Sequence, residues 1–290
     1  MKVILDNVNG LLDKAKSVPS TINSFQTILF DGTLSYNYQK HQPEPSMNQN
    51  HFPILILLGR PASGKSEIID FLTHTPLQKR LGRFHIAELD ILDDFPMLWT
   101  WFEEDRILSE DFGAPRLHSD LAGYFKYPYL WHLLIRRLGL EYQKRLRDDP
   151  NYHTHSTTLV EFSRGSEHGG YSQAFQHLPL DLLQQSVVMY VNVSFEESLR
   201  KNRQRFNPDK PDSILEHALP DEKLERLYRH VDWEQFSAPD PSFLHIKGIQ
   251  LPYTVFENED DVTTAKSDLL EARLSLSLDQ LWKLNANRDK

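Results

Sequence analysis

The stretch PILILLGRPASGKSEIIDFL, residues 53–72, carries the strongest structural signal in this 290-residue chain. It opens with an apolar run, continues through a short loop that contains two glycines, and ends in a segment in which Ile68, Ile69 and Leu72 have helical spacing. A buried strand, a glycine-rich turn and an amphipathic helix in this order predict a loop whose backbone amides point inward, towards an anion.

The loop has the spacing G-x-x-x-x-G-K-[ST], and we call residues 59–66 the glycine loop. In this pattern the lysine, Lys65, reaches the β- and γ-phosphates of a nucleoside triphosphate, and the hydroxyl of Ser66 holds Mg²⁺. A glycine turn with an exposed lysine is the alternative, and the flanking strand and helix argue against it. The predicted phosphate-binding residues are Gly59, Arg60, Pro61, Ala62, Ser63, Gly64, Lys65 and Ser66.

The composition excludes several classes of protein. The formal net charge of −9 repels nucleic-acid phosphates, so general nucleic-acid binding is not expected. The chain has no cysteine, which excludes a disulfide framework and thiolate metal sites and fits a reducing compartment. The first residues lack the features of a signal peptide, and no window has the roughly 18 apolar residues of a membrane span. We therefore expect a cytoplasmic protein that does not enter a membrane.

Short apolar runs alternate with longer amphipathic stretches from residue 52 onwards. The predicted strands lie at 53–59, 83–90, 157–163, 186–193 and within 243–258. This alternation predicts a three-layer α/β fold, in which a mostly parallel five-stranded sheet carries helices on both faces. Residues 1–51 combine a loose helical pattern with a polar, proline-containing stretch. They are predicted to form an N-terminal helix and a flexible linker outside the main domain, residues 52–290.

Three segments of the main domain have predicted roles. Residues 91–150, between the second and third strands, far exceed the dozen or so residues that a plain crossover needs, so they are interpreted as a helical insertion that binds an acceptor. Residues 195–236 are predicted to form a lid-like helical region. Residues 263–285 are predicted to form a C-terminal helix that packs on the domain or, alternatively, binds a partner.

The insertion contains the aromatic stretch GYFKYPYLWHLLIRR, residues 123–137. Core packing of a helical insert is the favoured interpretation, and stacking of a flat base is the alternative. Arg136 and Arg137, at the end of this stretch, are candidates to face a phosphate instead.

Two carboxylates are predicted at the carboxyl ends of strands, where open α/β sheets bind their ligands. Asp90 is predicted to end the second strand and to accept a proton from an acceptor hydroxyl, or else to cap a helix, and Glu88 and Asp93 are further candidates for the substrate role. Glu161 lies near the end of an otherwise apolar strand, and a buried carboxylate there requires a metal or a cationic partner. Arg164 is predicted to pair with Glu161 or to bind phosphate.

Arginines follow the fourth strand on a predicted helix. Arg200 and Arg203 share a face through their i, i+3 spacing, and Arg205 lies partly round the helix from them. Arginine suits bidentate contact with phosphate, so these side chains are candidate phosphate ligands. The alternative is a solvated helix face on which they pair with neighbouring acidic residues.

The chain resembles the P-loop kinases of small molecules, the superfamily of nucleotide, nucleoside and shikimate kinases. The likeness covers roughly residues 53–258 and is carried by GRPASGKS, AELDILDDF, VEFSRG and NVSFEESLRKNRQRF. It implies that a carboxylate after the second strand holds or deprotonates the acceptor and that a carboxylate of the third strand supports Mg²⁺. It also implies that a nearby arginine contacts phosphates and that the arginine-rich helix after the fourth strand begins a mobile lid.

Together these features predict an ATP- and Mg²⁺-dependent kinase that acts on a small-molecule acceptor, with nucleosides and nucleotides among the candidates. The predicted catalytic residues are Lys65, Asp90, Glu161, Arg164, Arg200 and Arg203, and the predicted metal ligands are Ser66 and Glu161. A GTPase is not expected, because no guanine-reading N-K-x-D follows the late strands. The alternatives are a P-loop NTPase or nucleotide switch that acts on a macromolecular partner, and a binding protein without turnover.

Overall fold

A six-stranded sheet lies at the centre of the described part of the chain. The computed structural model describes residues 50–205, 218–265 and 268–288. The strands are β1 (Ile54–Gly59), β2 (Glu88–Asp93), β3 (Ser156–Phe162), β4 (Ser186–Asn192), β5 (Phe243–Ile246) and β6 (Ile249–Glu257). The predicted N-terminal helix and most of the predicted linker, residues 1–49, lie outside the described residues, as do residues 206–217.

The strand order is β2-β3-β1-β4-β6-β5. Neighbouring strands are parallel except β5 and β6, which form an antiparallel hairpin at one edge. The predicted mostly parallel sheet is confirmed, and the hairpin adds a sixth strand that the sequence pattern did not separate from β6. Lys247 and Gly248 form its two-residue turn. Both have positive φ, 51° and 78°, as hairpin loops of this length favour.

Helices cover both faces of the sheet. The long helices are α1 (Lys65–His74), α2 (Leu77–Phe84), α3 (Phe95–Glu110), α4 (Tyr129–Asp148), α6 (Gly170–His177), α8 (Phe195–Arg205), α9 (Asp221–Tyr228) and α12 (Asp268–Asn285). The short helices are α5 (Tyr152–His155), α7 (Leu180–Gln184), α10 (Trp233–Ser237) and α11 (Val262–Ala265). A 3₁₀ turn, Ser166–His168, follows β3.

The central strand β1 shows why both faces are covered. Ile54, Ile56 and Leu58 share a core with residues of α4 and α6. Leu55 and Leu57 share a second core with residues of α1 and α12. All five side chains are fully buried, and a strand buried on both faces has a continuous apolar sequence, here ILILL. The predicted three-layer α/β class is confirmed.

The second strand lies further along the chain than predicted. Residues 83–84, predicted to open the strand, are the last turn of α2, and His85 ends that helix with a positive φ of 55°. The strand therefore spans residues 88–93. The prediction that Asp90 ends the strand is wrong, because Asp93 takes that position.

The predicted helical insertion between the second and third strands is confirmed. It consists mainly of α3 and α4, which are joined by residues 111–128. Ile135 and Leu138 of α4 belong to the core beneath the sheet. Trp101 of α3 forms a smaller apolar cluster with Leu130 of α4. The insertion is therefore packed on the sheet and on itself.

One buried carboxylate organises the connection between α3 and α4. Asp105 has no exposed surface, and its oxygens accept hydrogen bonds from three consecutive amides and one hydroxyl at 2.5–3.2 Å. The donors are Leu117, His118 and Ser119. Burial alone would raise the pKa of Asp105, but these hydrogen bonds outweigh it and lower the pKa to about 2. The carboxylate therefore fixes residues 117–119 against α3.

Asp105→Ala is expected to destabilise the protein by about 3 kcal/mol, because buried amides lose their acceptor. The depressed pKa means that the Asp105 contribution is present above its unfolded value of about 4 and is lost as the pH falls towards about 2. Thermal unfolding followed by circular dichroism should show the deficit shrinking in acid. The control is Glu104→Ala, at an exposed neighbour. An equal loss in both variants would contradict the role of Asp105.

The C-terminal helix α12 packs against the sheet. Its fully buried leucines are Leu270, Leu274, Leu278 and Leu281. These residues share one side of the helix through their spacing of three and four residues. Over the described ranges, no helix combines the length and the apolar character needed to cross a bilayer.

Candidate functional site

The glycine loop connects β1 to α1 at the carboxyl edge of the parallel strands. Gly59 and Gly64 have positive φ, 153° and 110°, and a Cβ at Gly59 would lie 2.6 Å from the Val191 carbonyl oxygen. Gly64 precedes α1 and has no side chain to cap it, so the first-turn amides of α1 have no acceptor within the helix. These amides are available to an anion.

The Lys65 ammonium group is buried within the glycine loop. Its Nζ donates hydrogen bonds to the carbonyl oxygens of Gly59 (3.2 Å) and Arg60 (2.8 Å) and to Ser163 Oγ (2.9 Å). Glu161 Oε1 lies 3.7 Å from Nζ. Burial lowers the pKa of Lys65, and the Glu161 carboxylate acts in the opposite direction. The ammonium group therefore lies where the glycine loop meets the end of β3.

Two hydroxyls of the glycine loop lack a protein partner among the described residues. Ser63 Oγ is buried and makes no hydrogen bond there. Ser66 lies half-buried in the first turn of α1, and its hydroxyl likewise bonds to no described residue. Buried polar groups normally have partners, so these hydroxyls beside free amides fit a ligand that is rich in oxygen.

Side chains from other elements hold the glycine loop in place. Asn258, directly after β6, donates from Nδ2 to the Ser63 carbonyl oxygen at 2.7 Å. The Arg60 guanidinium donates to the carbonyl oxygens of Val193 (2.8 Å) and Tyr228 (3.3 Å). Arg60 therefore contributes its backbone to the loop, while its side chain ties the loop to the end of α9. Asn258 was missed in the sequence, where its only signal is a polar residue after the last strand.

Asp93 and Glu161 lie side by side on β2 and β3. Burial raises the pKa of Asp93, the Glu161 and Asp94 charges raise it further, and the result is about 7. Burial also raises the pKa of Glu161, and Lys65 opposes that rise. Asp93 Oδ1 accepts the Phe95 amide at 2.9 Å, at the start of α3. The carboxyl edge thus holds two interacting carboxylates next to the lysine.

Asp90 lies on the opposite face of β2 from Asp93, because side chains alternate along a strand. Its carboxylate pairs with Arg145 of α4 and accepts the Tyr152 hydroxyl at 2.7 Å. These partners belong to the insertion and to α5, away from the glycine loop. The carboxylate of β2 that reaches the Lys65 environment is therefore Asp93 and not the predicted Asp90.

Arg164 pairs with a carboxylate other than the predicted one. Its Nη2 lies 2.6 Å from Asp94 Oδ2, and its guanidinium lies 5.3 Å from the centroid of the Trp131 ring. The side chain is 2% exposed. Glu161 pairs with Lys65 instead, so the predicted pairing of Arg164 with Glu161 is wrong. The Arg164 guanidinium is enclosed by these groups and fixes Asp94 beside the site.

Arg200 and Arg203 make ion pairs with acidic side chains. Arg200 Nη2 lies 2.6 Å from Glu197 and 2.8 Å from Asp261. Arg203 Nη2 lies 2.6 Å from Asp221 at the start of α9. These contacts match the alternative of a helix face paired with acids, although two of the three partners lie outside α8.

Arg205 ends α8 and acts on the site through its charge. Burial has the largest effect on the pKa of Lys65 and of Glu161, and the charge of Arg205 lowers both values. The field of this arginine therefore reaches the Lys65–Glu161 pair.

Helix α9 is anchored to the loop that follows β3. Leu224, Leu227 and Tyr228 of α9 form a buried apolar cluster with α8. A Cβ at Gly165 would lie 1.7 Å from the Leu227 carbonyl oxygen, so glycine is required at this close approach. The described part of the predicted lid-like region thus packs directly beside the site residues of β3.

A cavity of about 440 Å³ opens next to Asp93. It lies between β2 and the helices α3 and α4 of the insertion. Its lining residues are Ile91, Leu92, Asp93, Pro96, Met97, Arg137, Leu138 and Glu141. Its walls combine apolar side chains with the charged groups of Asp93, Arg137 and Glu141.

Comparison with known proteins finds similar solved structures but no matching family model and no matching curated protein. Shikimate kinase from Acinetobacter baumannii in complex with shikimate matches with 16% identity and a TM-score of 0.36, over 78% of this chain and 96% of that chain. A sugar kinase from a Janibacter species matches with 10% identity and a TM-score of 0.32, over 79% and 98%. The chain's own elements show a three-layer α/β fold with a glycine loop after β1, a mostly parallel sheet and a helical insertion.

Proposed function

We propose that this protein is an ATP- and Mg²⁺-dependent phosphotransferase that acts on a small-molecule acceptor. The observation that carries the proposal is the meeting of Lys65, Glu161 and Asp93 at the glycine loop. Phosphoryl transfer requires positioning, a metal and positive charge rather than covalent chemistry by the protein. The described groups supply a buried ammonium, unpaired amides and carboxylates at one edge of the sheet.

The glycine loop is the proposed site for the triphosphate of ATP. The free amides at the start of α1 would donate to phosphate oxygens, and Ser63 Oγ would gain the partner that it lacks. Lys65 would bind the transferred phosphoryl group, where its charge stabilises the charge that develops during transfer. Asn258 and Arg60 would keep the loop in its shape from outside.

Ser66 and Glu161 are the proposed protein ligands of Mg²⁺. Magnesium binds through one or two protein oxygens together with substrate phosphates and water, and a hydroxyl with one carboxylate fits that chemistry. Over the described ranges, no group of three or more His, Asp or Glu side chains is placed to hold a metal. The proposal requires only the two ligands named. The ion would neutralise charge on the phosphates.

Asp93 is the proposed proton acceptor, in place of Asp90. A pKa of about 7 lets a carboxylate accept a proton from an acceptor hydroxyl near neutral pH. The acceptor would lie in the cavity between β2 and the insertion, with Arg137 and Glu141 as its charged contacts. Both residues lie on α4, within the insertion that is predicted to bind the acceptor.

The arginines have different proposed roles. Arg205 would attract the phosphates through its charge, which already reaches Lys65. Arg164 would position Asp94, the neighbour of the proposed proton acceptor. Arg200 and Arg203 would hold α8 against Asp261 and α9 rather than contact phosphate.

An acceptor screen tests the proposed function. Release of ADP from ATP and Mg²⁺ is measured with nucleosides, nucleotides, sugars and small hydroxy acids. Release that depends on one acceptor, and that Lys65→Ala abolishes, would support the proposal. Steady ATP turnover that no acceptor changes would favour an NTPase or switch with a macromolecular partner. Failure to bind any nucleotide would overturn both. A cytoplasmic location and the lack of nucleic-acid binding stay predictions.

A further inference from the structure

Four basic side chains from three elements meet away from the glycine loop. His132 and Arg136 belong to α4, His177 ends α6, and Lys247 lies in the turn between β5 and β6. Because β6 is parallel to β4 and β1, the turn that precedes β6 lies at the amino edge of the sheet. The glycine loop lies at the opposite, carboxyl edge.

A ring contact and a hydrogen bond link three of these groups, and Arg136 is exposed one helical turn after His132 on α4. The imidazole rings of His132 and His177 stack with their centroids 4.3 Å apart. Lys247 Nζ donates to the carbonyl oxygen of Leu178, the residue that follows His177, at 2.8 Å. Arg136 is near enough for its charge to act on both His177 and Lys247. We call His132, Arg136, His177 and Lys247 the basic cluster.

The basic cluster has no compensating carboxylate in the part of the chain that the structure describes. Neither Arg136 nor Lys247 forms an ion pair with a described residue. Burial lowers the pKa of His177, and the charges of His132, Arg136 and Lys247 lower it further. Burial and then Arg136 lower the pKa of Lys247. Like charges held together oppose one another, and a bound anion would relieve that repulsion.

We propose that the basic cluster binds a small oxyanion, the phosphate group of inorganic phosphate or of a phosphate monoester. The Arg136 guanidinium can bind two oxygens of one phosphate, and the imidazoles and Lys247 provide further N–H donors. The formal net charge of −9 disfavours an extended polyanion such as nucleic acid. The proposal does not rest on phosphotransferase activity, since none of the four residues belongs to the glycine loop or to the carboxylates beside it.

An NMR titration of the full chain tests this proposal. Inorganic phosphate is expected to shift the imidazole Cε1–H signal of His177 along a saturating curve, with a Kd on the order of 1 mM. Glycerol phosphate, a monoester, should shift the same signal, and the tighter of the two probes identifies the source of the phosphate group. Potassium chloride at matched ionic strength should not reproduce the curve, because screening is not binding.

Variants test whether the phosphate binds at Arg136 and Lys247. Arg136→Gln/Lys247→Gln is expected to weaken phosphate binding by at least about tenfold. Lys79→Gln/Arg106→Gln removes the same charge from exposed positions of α2 and α3 and should leave binding unchanged. Arg136→Lys/Lys247→Arg keeps the charges and should retain binding, which guards against a folding defect. A His177 signal that ignores phosphate, or that responds equally in all variants, would overturn the proposal.

Discussion

Lys65→Ala is expected to lower kcat/KM for ATP-dependent transfer by at least about a thousandfold. The Lys65 ammonium is a buried positive charge at the glycine loop, bonded to the Gly59 and Arg60 carbonyl oxygens and to Ser163. A bound triphosphate would offer charged oxygens in place of neutral carbonyls. Charge-assisted hydrogen bonds are about twice as strong as neutral ones, so the ammonium would favour that exchange.

Two measurements separate binding from chemistry in this variant. Calorimetry with a non-hydrolysable ATP analogue should show a large loss of affinity, and single-turnover assays with saturating ATP should show the remaining loss in rate. Lys79→Ala is the matched control, because Lys79 is an exposed lysine of the neighbouring helix α2 that pairs with Glu271. Wild-type affinity and rate in Lys65→Ala would remove the main support for the proposed function.

The glycine loop could be predicted from the sequence because its determinants are local. The buried run before it, the two glycines and the helical spacing after it restrict the same short stretch of backbone independently. Gly59 and Gly64 do adopt positive φ, and β1 is buried on both faces. Each of these properties follows from residues that are neighbours in the chain.

The limits of β2 depended on contacts that are distant in sequence. The segment RFHIAELDILDDF mixes apolar and acidic residues in a way that fits more than one strand position. The first two residues of this segment, Arg83 and Phe84, belong to helix α2. The Ala87 amide then donates to Thr157 Oγ1 of β3 at 2.9 Å. The strand therefore ends three residues later than predicted. Asp90 lies in the middle of the strand, on the face opposite to Asp93, and Asp93 lies at the site.

The partners of charged and polar side chains could not be predicted from the sequence either. Arg164 lies three residues from Glu161 in sequence, yet it pairs with Asp94 because β2 and β3 are adjacent in the sheet. Asn258 reaches Ser63 only because β6 lies beside β4, which lies beside β1. Sequence spacing gives no information on such neighbours, so the loop could be predicted and its surroundings could not.

Asp93→Asn is expected to lower kcat by about 10²- to 10⁴-fold, whereas Asp90→Asn should leave it nearly unchanged. The two substitutions are chemically identical and lie three residues apart on one strand. Asp93 is beside Glu161 and lines the cavity. Asp90, on the opposite face of β2, is held by Arg145, which also pairs with Glu141 of the cavity wall. Asparagine at position 93 can still accept the Phe95 amide, so the start of α3 should be preserved.

The pH dependence of the wild-type reaction supplies a second comparison. A carboxylate accepts a proton only when it is ionised, so kcat/KM for ATP, which reports the enzyme before ATP and Mg²⁺ bind, should rise with pH through about 7, the pKa to which burial and the Glu161 charge raise Asp93. Asp90→Asn should retain this rise, and Asp93→Asn should lose it. The reverse pattern of activities would return the role of proton acceptor to Asp90.

Stability should change in the opposite direction from activity in Asp93→Asn. The folded pKa of Asp93 lies above its unfolded value of about 4, so its favourable contribution is complete below that pH and is lost as the pH rises through about 7. Wild-type protein at about pH 8 therefore carries a destabilising buried charge, and Asp93→Asn should raise its Tm by roughly 5 °C, with little change at about pH 4. Asp90→Asn, which breaks the pair with Arg145, should lower the Tm at about pH 8. Asp93 would thus destabilise the fold when it is ionised, and its replacement would stabilise the fold while lowering kcat. This combination is expected of a group that is placed for the reaction.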